Sequence, residues 1–405
     1  MIDRSKLWLG ELNATAIAAA PDAPARVGLY DTTLRDGEQT VGVVLDPYAK
    51  LEIARSLDGL GVDRIEASFP RVSADDAEAL ALIVGAGLAA EVWGFSRAVP
   101  ADVEALLAAG VRSTVIASPV SDGQLAAYGL SREKVTARVV EAVSHAADAG
   151  LRVCFFGVDG SRADLAFLER IFSAAVAAGA QEIAVVDTIG VLAPESAAVL
   201  VASARRWLGA DVPIHWHGHN DFGLATAAAI AAVRAGAQWV QGTINGMGER
   251  AGNASLGEVA LALDALYGIG SALRFDRLRE TSELVRRLSD YTLEPWRPLT
   301  GETLFVRESG AVASQFHDPP AIEPYSAELV RARRGIVLGK KSGLDSIRIK
   351  LEELGIERPA EDWPALLAAV KELGGRERRL VSDEEFAALA AGGEGERCWR
   401  SRASA

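Results

Sequence analysis

Short β-branched runs alternate with longer alanine- and leucine-rich segments from about residue 27 to residue 270. Eight of these runs are typical of buried strands, because each is short, apolar and bounded by glycine or polar residues. They are Val27–Thr33, Val62–Phe69, Ala90–Phe95, Arg112–Ser118, Arg152–Gly157, Glu182–Thr188, Pro213–Gly218 and Trp239–Ile244. The segments between them have helical periodicity, and several end in glycine, which commonly terminates helices.

This alternation predicts an α/β fold, a (β/α)8 TIM barrel, because eight such units at a spacing of about 30 residues fill the usual length of that barrel. We assign residues 1–26 to an N-terminal arm and residues 27–285 to the barrel. Beyond it, the proline-rich stretches "LEPWRPLTGETLF" and "HDPPAIEPYSAEL" indicate an extended linker over residues 286–345. Residues 346–405 are then a small, mostly helical C-terminal subdomain with a frayed end.

Composition narrows the class of protein. Hydrophobic residues make up 49% and charged residues 24% of the chain, as in globular proteins, and no apolar run reaches the roughly 18 residues of a membrane span. The polar N-terminus has no export signal, so we expect a cytoplasmic protein. Cys154 and Cys398 lie far apart, which argues against a disulfide framework. A net charge of −13 disfavours nucleic acid as a partner.

In TIM barrels the functional side chains lie at the carboxyl ends of the strands and in the loops that follow. Polar residues of this chain are concentrated at those positions. They are Arg35, Asp36, Glu38 and Gln39 after the first strand, Asp187 and Thr188 at the sixth, His215, His217 and His219 at the seventh, and Asn245 with "GERAGN" after the eighth. We therefore expect one site at this end of the barrel.

The stretch "PIHWHGHNDFG" holds three of the five histidines of the chain at alternate positions. Alternate side chains of a strand face the same way, so His215, His217 and His219 can project together. Imidazoles with a carboxylate, such as Asp36 or Asp221, suit a divalent transition metal. The other interpretation, that a histidine here is only a hydrogen-bonded barrel residue, stays open on spacing alone.

Three separated segments, "YDTTLRDGEQTVGV", "HGHNDFGLATA" and "GTINGMGERAGNASL", together resemble the homocitrate synthase and 2-isopropylmalate synthase family. These are DRE-type TIM-barrel metal enzymes that condense acetyl-CoA with 2-oxo acids. The resemblance extends from about residue 27 to 345, and "IEASFP", "FSRA", "VVDTIGVLAP" and "IVLGKKSG" are similar to further family segments.

The resemblance implies that Asp36, His217 and His219 bind a divalent metal, namely Mn, Zn, Co or Mg, with Asn253 as a further ligand. It leaves His215 outside the set of ligands. A 2-oxo acid can chelate such an ion through its carboxylate and ketone oxygens, and the ion then polarises the ketone.

The resemblance also implies roles for residues around the metal. Arg35 would lie beside the oxyanion of the 2-oxo acid, where a permanent positive charge stabilises developing negative charge. Thr188 would hydrogen-bond the carboxylate of the substrate. From its position along the strand face, rather than from the resemblance, Glu66 is a further catalytic candidate that supports the site, and a buried hydrogen-bonding role is the alternative. Gln39 and Arg97 are further candidates for substrate binding.

The chain departs from the family pattern at three positions that serve the acetyl-CoA half of the reaction. Val158 stands where the family has a glutamate, Val312 where it has a histidine, and Ile322 where we align, less closely, its tyrosine. Aliphatic side chains cannot transfer protons. Candidate replacements in the altered segment are Arg307, Glu308, Gln315, His317 and Tyr325.

Three functional hypotheses follow. The first is an acyltransferase that makes a 2-hydroxy diacid from acetyl-CoA and a 2-oxo acid. The second is a metal-dependent lyase or aldolase that acts beside a 2-oxo acid without an acetyl-CoA enolate, which the three substitutions favour. The third is a non-catalytic homologue or partner subunit. By resemblance we also expect a homodimer in which the segment after the barrel contacts the partner subunit.

Overall fold

The structure is a computed structural model that describes residues 2–18 and 24–392. Cys398 and the end predicted to be frayed lie outside the described residues. Contacts divide the chain into two compact units. The barrel unit comprises Met1–Arg4 and Gly10–Leu293, and the C-terminal unit comprises Ser5–Leu9 and Glu294–Ala405.

The barrel unit contains a closed barrel of eight strands, in which each strand pairs in parallel with its neighbour in sequence and the eighth pairs with the first. The strands are β1 (Gly28–Asp31), β2 (Arg64–Ser68), β3 (Glu91–Arg97), β4 (Ser113–Pro119), β5 (Arg152–Val158), β6 (Glu182–Asp187), β7 (Ile214–Gly218) and β8 (Trp239–Gly242). The prediction of a TIM barrel is confirmed.

Helices precede β1, connect successive strands and follow β8. They are α1 (Leu12–Ala18), α2 (Pro47–Leu60), α3 (Ala74–Val84), α4 (Pro100–Ala108), α5 (Asp122–Ala127), α6 (Arg132–Asp148), α7 (Leu165–Ala177), α8 (Pro194–Leu208), α9 (Ala225–Arg234), α10 (Leu256–Tyr267) and α11 (Phe275–Ser289). Local sequence sets their ends: the Asp46 carboxylate accepts from the Tyr48 and Ala49 amides, and Gly61 ends α2 in the left-handed conformation. No helix of the described residues is long and apolar enough to cross a membrane.

The interior of the barrel is filled by side chains from alternate strand positions. One buried cluster consists of Tyr30, Trp93, Val115, Ala117, Cys154, Phe156, Ala184 and Val186. Because side chains two apart face the same way, the interior positions of each strand lead directly to the residues at its carboxyl end. The residues that follow β1, β6, β7 and β8 therefore meet at one end of the barrel.

The C-terminal unit has its own apolar core, built around Ile336, Ile347, Val370 and Phe386. Its elements are β9 (Val306–Arg307), α12 (Gly310–Ala313), α13 (Pro319–Ile322), β10 (Gly335–Ile336), α14 (Leu344–Leu354), α15 (Trp363–Glu377) and α16 (Asp383–Ala390). The last three helices agree with the helical subdomain predicted from sequence. The segment interpreted as an extended linker carries short elements instead, since proline suits the first turn of a helix such as α13.

Candidate metal centre and substrate site

Asp36, His217 and His219 converge at the carboxyl end of the barrel. Asp36 lies in the loop after β1, His217 lies in β7, and His219 follows directly after that strand. The two Nε2 atoms of the histidines are 3.2 Å apart. Asp36 Oδ2 lies 3.4 Å from Nε2 of His217 and 3.5 Å from Nε2 of His219. All three side chains are buried.

The spacing of these three atoms fits a divalent ion. Two ligands at about 2.1 Å from an ion are about 3.4 Å apart in tetrahedral and about 3.0 Å apart in octahedral geometry. The observed edges of 3.2, 3.4 and 3.5 Å lie close to these values. Asp36 Oδ2 is buried and has no hydrogen-bond partner among the described residues, which is costly for a carboxylate unless an ion or ligand satisfies it.

The charge states suit metal ligation. Burial raises the pKa of Asp36, but Arg35, His219 and His217 outweigh it and hold this pKa well below its ordinary value. Burial lowers the pKa of His217 to about 3. At neutral pH the site therefore presents an ionised carboxylate and a neutral imidazole, which are the forms that bind metals.

Asn253 lies against the same centre and pairs with His219 through an isolated β-bridge. Its Nδ2 donates to the Met247 carbonyl at 2.9 Å, whereas its buried Oδ1 has no hydrogen-bond partner among the described residues. The loop before it is tight. Gly252 has φ of +84°, and a Cβ there would lie 2.0 Å from the carbonyl of Gly246, so only glycine fits.

Arg35 is fixed beside the centre by several contacts. Its Nε donates to Glu66, its Nη1 lies 3.0 Å from Oδ1 of Asp36, and its guanidinium stacks over the Phe95 ring at 4.3 Å. Nη2 is buried without a hydrogen-bond partner among the described residues. Glu66 is fully buried and also accepts from the Tyr30 hydroxyl at 2.8 Å, so it orients Arg35.

Thr188 follows β6 at the same end of the barrel. Its Oγ1 accepts a hydrogen bond from the Asp159 amide at 2.7 Å, which leaves the hydroxyl proton for another acceptor. The Thr188 carbonyl accepts from Arg250 at 2.6 Å, and Arg250 also pairs with Asp221 at 2.9 Å. These contacts tie together the loops after β6, β7 and β8.

A cavity of about 300 Å³ opens beside Arg35. It is lined by Arg35, Glu38, Gln39, Val44, Leu45, Phe69, Val72, Ser73, Asp75, Asp76 and Phe95. Gln39, one of the predicted substrate-binding residues, is exposed and lies on this lining.

Arg97, another predicted substrate-binding residue, is held by a carboxylate. Its Nε and Nη2 donate to Asp102 at 2.8 and 3.0 Å. Asp102 is buried and also pairs with Arg71 at 3.2 Å. The positive charges of both arginines are therefore partly compensated within the protein.

The family model described as HMGL-like matches residues 26–285, which is more than half of the chain. The chain belongs to the HMGL-like family. Its relatives include a putative (R)-citramalate synthase from Methanopyrus kandleri, 42% identical over 92% of this chain and 72% of the relative. The homocitrate synthase AksA of the same organism is 42% identical over 90% of this chain and 91% of the relative. The resemblance predicted from three motifs is confirmed, as is the prediction of an enzyme of the synthase type.

Solved structures show the fold of this HMGL-like chain in other proteins. The HMG-CoA lyase of Bacillus subtilis aligns with a TM-score of 0.60 at 19% identity, over 67% of this chain and 96% of that one. The HMG-CoA lyase of Brucella melitensis aligns with a TM-score of 0.59 at 21% identity, over 65% of this chain and 99% of that one. At such identity the likeness concerns the fold alone.

In this HMGL-like chain His215 belongs to a different group of side chains from His217 and His219. Its Nε2 lies 2.6 Å from Glu182, which Arg64 also binds through two hydrogen bonds. Its Nδ1 lies 3.2 Å from Nε2 of Gln241. Sequence reasoning missed Glu182, Arg64 and Gln241. The feature of the sequence that indicates them is a polar residue at an interior position of an otherwise apolar strand.

The end of β5 carries the first family substitution. Val158 packs against the apolar cluster inside the barrel, so no proton-transferring group occupies that position. The neighbouring Asp159 does not replace it, because its buried carboxylate accepts from Ser121 and is paired with Arg162 at 2.7 Å. Asp159 holds a left-handed backbone conformation with φ of 62°.

The remaining substitutions and their candidate replacements lie in the C-terminal unit. Val312 and Ile322 are half-buried in the short helices α12 and α13. Glu308 is paired with Lys341 at 3.1 Å, and Arg307 donates to the carbonyls of Leu304 and Val306. Gln315 and His317 are exposed, and Tyr325 packs edge to face on Phe305. Their proposed roles stay predictions.

Proposed function

We propose that this chain is a divalent-metal-dependent acyltransferase. It forms a bond between the methyl carbon of acetyl-CoA and the ketone carbon of a 2-oxo acid, and water hydrolyses the thioester, which releases a 2-hydroxy diacid and free CoA. The names of its relatives, which are citramalate, 2-isopropylmalate and homocitrate synthases, support this reaction class. One observation carries the proposal: Asp36, His217 and His219 form a buried ligand triangle beside Nη2 of Arg35, which no residue in 2–18 or 24–392 hydrogen-bonds.

The triangle would hold the ion, with Oδ1 of Asn253 as a further ligand atom. When bound there, a divalent ion supplies Lewis acidity to the ketone of the 2-oxo acid. Arg35 would donate from Nη2 to the same oxygen, and Glu66 with Tyr30 keeps the guanidinium in place. A fixed donor aimed at developing negative charge contributes about 10²- to 10³-fold in rate.

Thr188 would orient the other end of the acceptor. Because its Oγ1 already accepts from the Asp159 amide, its hydroxyl proton points to a different partner, and a substrate carboxylate is such an acceptor. The Arg250 contact to the Thr188 carbonyl fixes the loop. The carboxylate and the ketone are then held at two points, which selects one face of the ketone for attack.

The cavity beside Arg35 favours an acceptor with a small, uncharged side chain. Phe69, Phe95 and Leu45 give it an apolar surface, and Asp75 and Asp76 on its lining would repel an anionic group. Lys50 is no anion receptor here, because it is buried between Glu38 at 2.5 Å and Asp76 at 2.6 Å. Among 2-oxo acids, pyruvate and its short alkyl homologues fit better than 2-oxoglutarate.

The test is release of CoA thiol from acetyl-CoA by metal-loaded protein with pyruvate, 2-oxobutanoate, 2-oxoisovalerate and 2-oxoglutarate as acceptors. We expect release with the acceptors whose side chains are uncharged, loss with a chelator and in His217→Ala, and retention in the matched control His145→Ala, whose half-buried histidine pairs with Glu104 away from the site. Failure of every acceptor, or undiminished activity of His217→Ala, would contradict the proposal.

A second candidate function is a lyase or aldolase on the same metal site, and Val158 is the observation that favours it. Forming the acetyl-CoA enolate needs a base, and an apolar side chain stands at the position of the family glutamate. The same protein would then cleave a 2-hydroxy diacid or an aldol of a 2-oxo acid. Product analysis with such substrates, in parallel with the thiol assay, distinguishes the two reactions.

A further inference from the structure

A chain of buried polar side chains runs through the barrel from the candidate metal centre toward the opposite ends of the strands. His217 Nδ1 lies 3.1 Å from Oε1 of Gln241, and Gln241 Nε2 lies 3.2 Å from Nδ1 of His215. His215 Nε2 lies 2.6 Å from Glu182, and Arg64 binds the same carboxylate at 2.6 and 2.9 Å. The five residues are at most 4% exposed. We call them the core polar chain.

Strand register creates the core polar chain. His217 pairs directly with Gln241 across β7 and β8, and His215 faces the same side of β7 two residues earlier. His215 in turn pairs with Ala184 of β6, and Glu182 lies two residues before Ala184. Three adjacent strands thus each contribute polar interior side chains, Glu182 from β6, His215 and His217 from β7 and Gln241 from β8, and each polar group contacts the next.

The hydrogen bonds of the core polar chain from His217 to Glu182 all donate in the same direction, toward Glu182, and the charge of Glu182 decides how each pair is arranged. An ionised carboxylate only accepts, so His215 Nε2 donates to Glu182, whose charge Arg64 already balances. The other nitrogen of a neutral imidazole accepts, so the NH2 group of Gln241 donates to His215 Nδ1. The carbonyl of Gln241 then faces His217, whose Nδ1 must donate.

This direction matters for the metal centre. With its proton on Nδ1, His217 keeps a lone pair on Nε2, and Nε2 is the atom that faces Asp36 and His219. The opposite tautomer would place a hydrogen at the centre of the ligand triangle. Imidazole ligands of metals depend in this way on the partner of their second nitrogen.

We infer that Gln241 is a positioning residue, which, with His215 and Glu182 behind it, holds His217 in the tautomer whose Nε2 is free to bind a divalent ion. The inference rests on the proposed function only for the presence of that ion. Loss of such a partner lowers metal affinity by about 10- to 100-fold.

Two variants of Gln241 distinguish the role of its carbonyl oxygen from that of its NH2 group. Gln241→Leu has similar volume and removes both hydrogen bonds. Gln241→Glu keeps an acceptor for His217 Nδ1, so it is the conservative variant that restores the tautomer. Thr114→Val is the matched control, because it removes a fully buried hydroxyl of β4 that bonds the Gly94 carbonyl, outside the core polar chain.

The first measurement is the tautomer of His217 in metal-free protein, from nitrogen–proton correlation spectra of chain labelled with ¹⁵N-histidine. The chain has five histidines, so single-site variants assign the signals. We expect the Nδ1–H form in the wild type, in Gln241→Glu and in Thr114→Val, and a mixture of both forms in Gln241→Leu. An Nε2–H form in the wild type overturns the inference, even if Gln241→Leu fails to fold.

The second measurement is the affinity for Mn²⁺ and Zn²⁺, by competition with a chromogenic chelator. We expect affinity about 10- to 100-fold weaker in Gln241→Leu and within about threefold of wild type in the other two variants. Wild-type affinity in folded Gln241→Leu contradicts the inference. If the wild type binds neither ion, the proposed function fails, and the tautomer measurement still decides the role of Gln241.

Discussion

The two oxygens of Asp36 have different partners: Oδ1 lies 3.0 Å from Nη1 of Arg35, and Oδ2 faces Nε2 of His217 at 3.4 Å. One carboxylate thus links the guanidinium to the ligand triangle. Because Arg35 also contacts Glu66, its position and that of Asp36 are set together. In the proposed reaction, activation of the 2-oxo acid would depend on this link.

Arg35→Lys should lower the rate of thiol release about 10²- to 10³-fold while metal binding persists. A lysine ammonium is a point charge and cannot contact Glu66, Asp36 and a substrate oxygen in the planar geometry of a guanidinium. Steady-state rates and metal stoichiometry check this expectation, with the exposed Arg138→Lys as the control. A rate within threefold of wild type would exclude Arg35 from the chemistry.

Val158→Glu should raise thiol release from acetyl-CoA at least about tenfold, because general base catalysis contributes about 10²- to 10⁴-fold where the geometry is right. The new carboxylate would stand at the end of β5, where the family has a glutamate. Val158→Gln has nearly the same shape and cannot take a proton, so it is the matched control. Equal rates in both variants would show that no base is needed at this position.

Arg97→Ala should change the KM for a 2-oxo acid with an uncharged side chain by less than about threefold, since Asp102 already accepts two hydrogen bonds from the guanidinium. Sequence alone predicted a substrate-binding role for this arginine. Steady-state kinetics with pyruvate and 2-oxoglutarate decide between the two expectations. A KM that rises more than about tenfold would restore that role, and Arg138→Lys again serves as the control.

The fold could be predicted from the sequence because each βα unit repeats the same pattern, a short apolar run followed by a segment of helical periodicity. The site could be located because TIM barrels have their functional side chains at the carboxyl ends of the strands. Asp36 and His217 are 181 residues apart in number, yet both follow or end a strand. The sequence pattern does not indicate which residue hydrogen-bonds a given buried polar group. The contacts of Gln241 with His215, and of Arg97 with Asp102, depend on strand register and side-chain direction. Helices of four residues, such as α13, are too short for any periodicity to predict.

Glu182→Gln should lower the free energy of unfolding at neutral pH by about 3 kcal/mol. Burial opposes ionisation of Glu182, but hydrogen bonds from His215 and Arg64 prevail and lower its pKa from 4.5 to about 2. Because the folded-state pKa is depressed, this stabilisation is present above about pH 4.5 and is lost as the pH falls toward 2.

The pH dependence of the free energy of unfolding therefore distinguishes an ionised, hydrogen-bonded Glu182 from a side chain that contributes only by packing. Urea denaturation should show the difference between wild type and Glu182→Gln narrowing by about 1 kcal/mol between about pH 6 and pH 3.5. The exposed Glu78→Gln should show neither the loss nor the narrowing. A difference that stays constant over this range would mean that the Glu182 carboxylate is not held ionised by His215 and Arg64, and that the core polar chain lacks its acceptor end.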